Sequence, residues 1–464
     1  MSKPLRELRW QIRVKNPKNG WLLNGNYFFL NGNCFLVNGA LNAAAYCLSS
    51  GDVYAIDCYG RQLIESCENG MPVEYVLSHA SRATGEDEAL KYLHNLEMLG
   101  LGAFRNEPVP PPKMELPSRR QTVRKIWLEV KRGCNLNCVH CYADCSSGSA
   151  GESLSQERWL AIVSEAAGLG ARWIQLIGGE PLLYRKRDLF ELISRAKREQ
   201  FDFIEVFTNG TLLDEEHIKF FAEHGVHIAL SIYSRRPEIH DSVTGKTGSF
   251  QKTMSSAQRL KEQGVPLRFG LVVMGQNCEY EAETLDWLTA EYRGVPINSD
   301  IVRSTEGSRD TQMKLLTPDL LRRRLRTQPA FPKVIVESFI RNKSGNSCFD
   351  GQICVQANGE VYPCIMERTQ ALGNVVGSSL KKIVEGERTR EIWGLSRDKI
   401  PVCCDCEFRY ACFDCRPLSR AMSESVGQNG RDMRTKDPCC LYNPYTGNWG
   451  NAEEYLEKLA AKGQ

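Results

Sequence analysis

The 464-residue sequence has almost no charge imbalance and no long hydrophobic segment. Lysine and arginine together number 59, against 56 aspartate and glutamate residues, so the formal net charge is +3. So small a net charge gives no general attraction to nucleic acid. No stretch reaches the roughly 18 uninterrupted apolar residues of a membrane span, and residues 1–10 lack the apolar core of a signal peptide. These absences predict a cytoplasmic protein without a nucleic-acid or membrane partner.

Histidine is also scarce, at seven residues, and none stands at metal-ligand spacing from another. Cysteine is abundant by contrast, with 19 residues that cluster along the chain: four lie between residues 134 and 145, and ten between residues 348 and 440. A disulfide framework is typical of short secreted chains with an even number of cysteines. An odd, clustered set in a chain without an export signal instead indicates metal binding in a reducing compartment.

Three closely spaced cysteines form the most informative motif. Cys134, Cys138 and Cys141 are spaced C-x3-C-x2-C, and Tyr142 follows the last of them. Thiolates are the usual ligands of iron–sulfur clusters, and a cubane [4Fe–4S] cluster has four irons to hold. Three cysteines therefore leave one iron open to a small molecule. Zinc sites usually use two separated C-x2-C pairs, so the spacing favours a cluster over a zinc site or buried free thiols.

Strand-like and helix-like segments alternate through the middle of the chain. Their spacing suits βα units of about 30 residues. Six units are too few for a closed eight-stranded barrel, so the pattern predicts an α/β fold with a partial (β/α)6 barrel. Its active site should lie on the loops after the strands. The predicted strands are 126–131, 172–177, 203–207, 227–232, 267–273 and 297–302, and the predicted helices are 155–169, 187–200, 214–224, 250–264 and 281–292.

Short motifs follow three of these predicted strands. The second strand ends in Gly178, Gly179, Glu180 and Pro181, where the glycines permit a close backbone approach. The third is followed by Asn209 in a Thr-Asn-Gly-Thr run, which a turn capping the next helix explains equally well. Ser231 and Tyr233 lie at the end of the fourth.

A second group of cysteines lies in the C-terminal third of the chain. Its chemistry-bearing members are Cys348, Cys354, Cys364, Cys403, Cys406, Cys412, Cys415, Cys439 and Cys440. They suffice for two more clusters with four thiolates each, although two zinc-ribbon-like sites could use the same cysteine pairs. Ligands spread over so much chain would tie distant segments together, so loss of the metal should unfold this region.

Together these motifs resemble radical S-adenosylmethionine (SAM) enzymes with a SPASM extension. In that family the open iron chelates SAM and splits it into methionine and a 5′-deoxyadenosyl radical. The resemblance implies a [4Fe–4S] radical SAM cluster on the cysteine triplet, SAM as a cofactor and two auxiliary [4Fe–4S] clusters. It also implies that SAM is contacted by Tyr142, Gly178, Gly179, Glu180, Pro181, Asn209 and Ser231. In the family the glycine run binds the amino group of SAM, Ser231 would contact the ribose, and many relatives carry an aspartate in place of Tyr233.

The same resemblance implies how the C-terminal cysteines divide between the auxiliary clusters. The first cluster would be held by Cys348, Cys354, Cys364 and Cys415. The second would be held by Cys403, Cys406, Cys412 and one of Cys439 or Cys440. The central block of the family usually ends C-x5-C-x3-C, whereas this chain has C-x5-C-x2-C. The missing residue bears on the assignment of Cys415.

Residues 1–107 are predicted to form a separate α+β winged-helix-like domain. Three strands in a hairpin meander (27–30, 34–37 and 53–56) precede three helices (58–69, 72–81 and 86–99). This order resembles the PqqD-like recognition domain of clusters for ribosomally made, modified peptides, which binds a leader peptide as an extra strand. A structural cap or a dimerisation domain remains the alternative. A proline-rich linker (108–122) separates this domain from the barrel (123–315) and the SPASM domain (316–464).

The resemblance implies a maturase that forms cysteine thioethers to an α- or β-carbon of a precursor peptide, as sactipeptide and ranthipeptide synthases do. The N-terminal domain would hold the leader, and a flavodoxin or ferredoxin would supply electrons. Other outcomes are carbon–carbon or ether crosslinking, epimerisation and sulfatase-maturase-like oxidation, and a non-enzymatic alternative is a redox-sensing iron–sulfur protein. No residue is identified as the general base, because Glu205, Tyr233 and Arg303, near predicted strand ends, fit structural roles equally well.

Overall fold

The computed structural model describes residues 25–79, 85–118, 122–145, 153–303, 316–425 and 433–462. Several parts of the predicted domains lie outside these ranges: residues 1–24, linker residues 119–121, the end of the barrel domain at residue 315, and residues 463–464. Within the described ranges, no helix is both long enough and apolar enough to cross a membrane.

The N-terminal part combines five short strands with three helices. In chain order these are β1 (Tyr27–Leu30), β2 (Cys34–Asn38), β3 (Ala43–Cys47), β4 (Asp52–Ile56), α1 (Cys58–Glu68), α2 (Val73–Ser78), α3 (Glu86–Met98) and β5 (Gly102–Arg105). β2, β3 and β4 form one antiparallel sheet with β3 in the centre, and β1 pairs with β5 in a second sheet. The three predicted helices are confirmed.

The predicted hairpin meander was wrong in its pairing. β1 does not pair with β2, because its partner is β5 at the far end of this part of the chain. β2 pairs instead with β3, which the sequence pattern missed. Residues 43–47 are mostly alanine, a residue that is depleted in strands and carries little β signal. All five are buried, because β3 is covered on both faces, and small side chains suit such a position.

The middle of the chain forms six parallel strands that lie side by side in chain order. The elements are β6 (Lys125–Lys131), α4 (Gln156–Gly168), β7 (Trp173–Gly178), α5 (Lys186–Arg198), β8 (Phe203–Thr208), α6 (Glu215–His224), β9 (His227–Ile232), α7 (Pro237–Thr244), α8 (Ser249–Glu262), β10 (Leu267–Val273), α9 (Glu281–Glu291) and β11 (Ile297–Ile301). All six predicted strands are confirmed to within a residue at each end. The short helix α7 was not predicted.

The two faces of this parallel sheet differ in chemistry. Ile126, Leu128 and Val130 of β6 pack into the core beneath the helices. On the opposite face, a chain of hydrogen bonds crosses the strands: Trp127 Nε1 donates to Gln175 Oε1 at 2.6 Å, and Gln175 donates to Glu205. Apolar burial therefore fixes one face of the sheet, and polar side chains occupy part of the other.

The C-terminal part extends the same sheet. Its elements are α10 (Pro318–Arg324), α11 (Val336–Ser344), β12 (Gln352–Val355), β13 (Glu360–Tyr362), β14 (Gly373–Asn374), α12 (Leu380–Val384), α13 (Glu387–Trp393), α14 (Arg416–Ser425), β15 (Tyr442–Asn443), β16 (Asn448–Trp449) and α15 (Ala452–Lys462). β12 pairs in parallel with β6, and β13 and β14 follow it, which makes a nine-stranded sheet. The prediction of six strands did not anticipate this extension.

The N-terminal sheet packs directly on the C-terminal part. The ring of Tyr46 on β3 lies 5.3 Å from that of Phe339, centroid to centroid, and its hydroxyl donates to the Glu407 carbonyl at 2.9 Å. The Ala40 amide donates to the Asp405 carbonyl at 2.7 Å. The outer face of β3 is thus buried against the segment that carries Cys403, Cys406 and Cys412.

Candidate functional site

The loop that carries the cysteine triplet begins directly after β6 and is held by α7. The amides of Asn137 and Val139 donate to the carbonyls of Thr244 and Val243, at 2.9 and 3.0 Å. Gly245 has φ +66°, and a Cβ there would lie 2.8 Å from the Asn137 carbonyl oxygen. The helix that the sequence did not predict therefore fixes the loop on both sides of Cys138.

The two glycines after β7 lie against the start of the same loop. A Cβ at Gly178 would come within 2.3 Å of the Lys131 carbonyl oxygen, and one at Gly179 within 2.2 Å of the Gly133 carbonyl oxygen. The Gly179 amide donates to Lys131 at 2.7 Å, and the Glu180 amide to Gly133 at 3.0 Å. The absence of side chains is therefore required by packing between these loops, in agreement with the close approach expected from the sequence.

The carboxylate of Glu180 faces the protein interior. It accepts hydrogen bonds from Thr208 Oγ1 at 2.5 Å and from the amides of Asn209 and Leu182 at 2.9 and 3.0 Å. The side chain is fully buried, and burial raises its pKa to about 7. Glu180 therefore ties the ends of β7 and β8 together. Pro181 begins a single 3₁₀ turn.

Asn209 connects the end of β8 to the triplet loop. Its Nδ2 donates to Asn135 Oδ1 at 2.9 Å and lies 3.9 Å from Cys134 Sγ. Its Oδ1 accepts from the Thr211 amide at 2.9 Å. The alternative that this run caps the next helix is wrong, because the side chain that caps α6 is that of Asp214.

Aromatic side chains cover the triplet from two sides. Tyr233 follows β9, is buried, and stacks edge-on against His140 with ring centroids 4.8 Å apart. Burial and then the nearby Cys138 raise the pKa of Tyr233, and burial lowers the pKa of His140 to about 4. Ser231 lies half-buried on β9, and its hydroxyl hydrogen-bonds Tyr233. These groups can shield the triplet from water.

Tyr142 lies beside a buried ion pair that the sequence did not indicate. The Arg368 guanidinium carbon is 5.0 Å from the centre of the Tyr142 ring, and Arg368 also pairs with Glu129 on β6. Burial raises the pKa of Glu129, against the opposing effect of Arg368. Cys354 on β12 also contacts Glu129. This network places a C-terminal cysteine next to the strand that leads into the triplet.

The proposed ligands of the first auxiliary cluster are near one another. Cys348 and Cys415 form a hydrogen bond, and this bond lowers the pKa of Cys415. Cys364 interacts electrostatically with both, and Cys354 interacts with Cys364. We call Cys348, Cys354, Cys364 and Cys415 the first auxiliary set. The shortened C-x2-C spacing does not prevent Cys415 from approaching Cys348 and Cys364.

The proposed ligands of the second auxiliary cluster share one cavity, with one exception. Cys403, Cys406, Cys412 and Cys440 line it together with Arg326 and Arg397. Cys439 instead lies in an apolar cluster with Leu418, and its sulfur is 3.5 Å from that of Met422. We call Cys403, Cys406, Cys412 and Cys440 the second auxiliary set. The geometry favours Cys440 over Cys439, both of which the sequence had left as candidates.

Within the described residues, no three histidine, cysteine, aspartate or glutamate side chains approach closely enough to hold a single metal ion. A tetrahedral zinc site needs its sulfurs about 2.3 Å from one common ion. Each iron of a cubane takes one thiolate, so its ligands stand further apart.

Two of the residues near strand ends have structural partners. Glu205 lies within β8, where Arg268 binds it through two hydrogen bonds of 2.7 and 2.8 Å. Arg303 pairs with Asp300, and its Nη1 lies 4.0 Å from Cys415 Sγ. Neither is arranged as a general base. Sequence reasoning named Arg303 only as a residue near a strand end, and it missed Arg326 and Arg397 beside the second auxiliary set, because isolated arginines have no motif.

Two family models match the chain. The radical SAM superfamily model matches residues 128–288, and the model of an iron–sulfur cluster-binding domain, SPASM, matches residues 348–407. The chain therefore carries a radical SAM domain over residues 128–288 and a SPASM domain over residues 348–407. These domains imply a [4Fe–4S] radical SAM cluster, auxiliary clusters and SAM, and the three cysteine groups have the donor chemistry that the clusters require.

Individual relatives are similar over different lengths. PqqA peptide cyclase of Granulibacter bethesdensis is 36% identical over 155 residues, or 33% of this chain and 41% of that protein. The chain thus spans about two fifths of that relative. PqqA peptide cyclase of Rhizobium meliloti is 26% identical over 68% of this chain and 86% of its own length. AdoMet-dependent heme synthase of Methanosarcina barkeri is 28% identical over 69% of this chain and 97% of its own length.

Solved structures share the fold. The structure of native anSMEcpe with bound AdoMet and Cp18Cys peptide matches with a TM-score of 0.51 at 19% identity, over 73% of this chain and 96% of that one. Streptococcus suis SuiB bound to the precursor peptide SuiA matches with a TM-score of 0.51 at 12% identity, over 88% and 98% of the two chains. At these identities the likeness concerns the fold alone.

Proposed function

We propose that the protein is a maturase that modifies a ribosomally made precursor peptide by radical chemistry, most simply by forming cysteine thioethers to an α- or β-carbon. The observation that carries this proposal is the position of β6. The triplet loop follows it directly, and β12 pairs alongside it with Cys354 opposite Trp127. A site that starts a radical and a site that can accept an electron are therefore built on adjacent strands.

The bound cluster and SAM supply a 5′-deoxyadenosyl radical that removes a hydrogen atom from the substrate. The protein's own groups have defined tasks around that chemistry. Cys134, Cys138 and Cys141 hold the cluster, while the backbone of Gly178–Pro181 offers polar groups to the methionine part of SAM. Asn209 keeps the triplet loop in register through Asn135. Tyr233 and His140 exclude water, which a primary radical would otherwise meet.

The auxiliary sets complete the proposal. We assign one [4Fe–4S] cluster to the first auxiliary set and one to the second, each with four cysteine ligands. The loss of one electron from a substrate radical, together with attack by a deprotonated substrate cysteine, gives a thioether. An auxiliary cluster next to β6 is a suitable acceptor for that electron. A flavodoxin or ferredoxin is the proposed external donor.

We further propose that the N-terminal part, residues 1–107, binds the leader of the precursor as an added strand. The sheet of β2, β3 and β4 has two outer strands on which a peptide can add backbone hydrogen bonds. The linker (108–122), the barrel (123–315) and the SPASM domain (316–464) complete the proposed organisation. The packing of β3 on residues 405–410 would bring a bound leader close to the second auxiliary set.

Peptide cyclases among the relatives support a peptide substrate, although each activity is known only for those proteins.

The test begins with the reduced, anaerobic protein and SAM, which should release 5′-deoxyadenosine. Cys134→Ala should abolish that release, whereas Cys278→Ala, which changes a cysteine outside all three groups, should not. No product from fully reconstituted protein would refute the radical SAM assignment of the triplet.

The substrate is tested separately, by co-expression with a short cysteine-containing open reading frame found beside the gene. Mass spectrometry should show the loss of two hydrogen atoms per crosslink, with the linked cysteines protected from alkylation. An unchanged mass with altered stereochemistry would replace thioether formation by epimerisation. Modification that persists after the leader segment is removed from the peptide would contradict the proposed role of the N-terminal part.

A further inference from the structure

Arg326 connects two cysteines of the second auxiliary set through its backbone and its side chain. It lies just after α10, before the match to the SPASM model begins. Its backbone forms a parallel bridge with Cys440: the Arg326 amide donates to the Cys439 carbonyl at 2.8 Å, and the Leu441 amide donates to the Arg326 carbonyl at 3.1 Å. The backbone of Arg326 thus fixes the segment on which Cys440 lies.

The guanidinium of Arg326 reaches the other side of the same cavity. Nη1 lies 3.1 Å from Cys412 Sγ and 3.0 Å from the Phe413 carbonyl oxygen, and Nη2 donates to Asp437 Oδ2 at 2.7 Å. Only 24% of the side chain is exposed. One residue therefore aligns Cys440 with Cys412, although these cysteines lie in separate segments of the chain.

The charge of Arg326 acts on the thiols of this cavity. An arginine does not lose its proton in a protein, so its positive charge is fixed. This charge lies 3.1 Å from Cys412 Sγ, where it stabilises negative charge on the sulfur and, equally, the electron added when a cluster is reduced.

Among the described residues, no arginine side chain is hydrogen-bonded so closely to a cysteine sulfur of the first auxiliary set. Its nearest described counterpart is Arg303, whose Nη1 lies 4.0 Å from Cys415 Sγ. Reduction potentials of iron–sulfur clusters depend on net charge, on hydrogen bonds to the sulfurs and on solvent exposure. Partners of the ligands themselves are known to tune metal sites in this way.

We propose that Arg326 is a positioning residue for the second auxiliary cluster, where it aligns Cys412 with Cys440 and raises the reduction potential of the cluster. The inference rests on the proposed assignment of a cluster to the second auxiliary set. It makes the second cluster the easier of the two auxiliary clusters to reduce, and hence the place where an electron that has left the substrate comes to rest.

The test is a redox titration followed by electron paramagnetic resonance. The background carries Cys134→Ala, Cys138→Ala and Cys141→Ala, which leaves only the two auxiliary clusters. Arg326→Gln should lower the reduction potential of one cluster by at least about 59 mV. For a one-electron couple, this shift is a tenfold change in the equilibrium constant of reduction. The other cluster should keep its potential. Arg322→Gln is the matched control, because Arg322 lies on α10 and pairs only with exposed acids in the described residues.

A second variant gives a change of opposite sign. Asp437→Asn removes the negative charge that faces Arg326, so it should raise the potential of the same cluster. The proposal is overturned if Arg326→Gln keeps its iron and neither potential moves, or if Asp437→Asn fails to raise one. Loss of about four irons from Arg326→Gln would support the alignment of the ligands, and Asp437→Asn would then decide the charge effect. Absence of a second auxiliary cluster from the unmodified protein would refute the cluster assignment instead.

Discussion

The two auxiliary sets are built in different ways. The first is rooted in the large sheet: Cys354 lies on β12, which pairs with β6 on one side and with β13 on the other. The second is gathered from loops, since residues 401–412 form turns and Cys440 is held by a single bridge to Arg326. Backbone pairing can position ligands before metal arrives, whereas loops need the metal, charged partners and packing to stay together.

Paired charges surround both sets. The first set is next to two ion pairs, Glu129 with Arg368 and Glu367 with Arg420, and the Glu367 amide donates to the Cys364 carbonyl at 3.2 Å. The second set has Asp414 paired with both Arg397 and Arg416, all three of them buried. Burying charge is costly unless it is paired. Both sets thus lie among paired charges, and the Asp414 network touches both of them, because Asp414 lines the cavity of the second set and precedes Cys415 of the first.

Removal of iron should produce the largest difference between the two sets, in their protection from hydrogen exchange. Anaerobic chelation should leave the amide of Cys354 protected from hydrogen exchange, because β12 keeps its partners β6 and β13. Amides of 403–412 should lose protection by orders of magnitude, since local opening costs little where the metal was the main restraint. Mass-spectrometric hydrogen exchange measures both segments in one experiment, with β8 as an internal reference. Equal protection in both would contradict the comparison.

Separate alanine substitutions of the adjacent Cys439 and Cys440 test which of the two belongs to the second set. Cys440→Ala should lose about four of about twelve irons per chain, because Cys440 lines the cavity. Cys439→Ala should keep them, because its sulfur packs on Met422 in an apolar cluster. Iron and sulfide analysis of the two purified variants measures the difference. The reverse result would assign the fourth ligand to Cys439.

The smallest expected effect concerns stability. Asp414→Asn should cost about 3–5 kcal/mol, the usual range when one partner of a buried ion pair is removed. Glu129→Gln should cost less, since it frees one guanidinium rather than two. Asp319→Asn is the control, because this exposed carboxylate pairs with the exposed Arg322 and such pairs contribute about 1 kcal/mol or less. Urea denaturation of the iron-loaded protein measures the free energy of unfolding of each variant. A Glu129 variant that is less stable than the Asp414 variant would reverse the comparison.

The parallel sheet could be predicted because its signal is local. Each strand is a short apolar run followed by a helix, and the glycines at 178 and 179 stand where two loops touch. The N-terminal pairing could not be predicted in the same way. The partner of β1 is β5, which follows it after three strands and three helices. β3 is an alanine run whose strand character comes from burial on both faces.

The site shows the same division. Cysteine spacing identifies the ligand types, but the choice between Cys439 and Cys440 depends on which of two adjacent side chains faces the cavity. The burial of the Glu180 carboxylate beneath Asn209 could not be predicted from the sequence either, because it depends on the ends of two strands meeting. Arg326, Arg368 and Arg416 are isolated in sequence, so only the folded chain reveals their partners.

The pairing of β12 with β6 has a consequence for how the protein is made. Arg124 and Asp350, at the start of this pairing, are 226 residues apart in sequence. At about 5–20 residues per second, the ribosome needs on the order of ten to forty seconds to deliver the second strand after the first. Throughout that interval β6 presents an unpaired edge, the kind of surface on which other chains can add. Nascent chains of this enzyme should therefore depend on chaperones most between the synthesis of the barrel and that of the first auxiliary set.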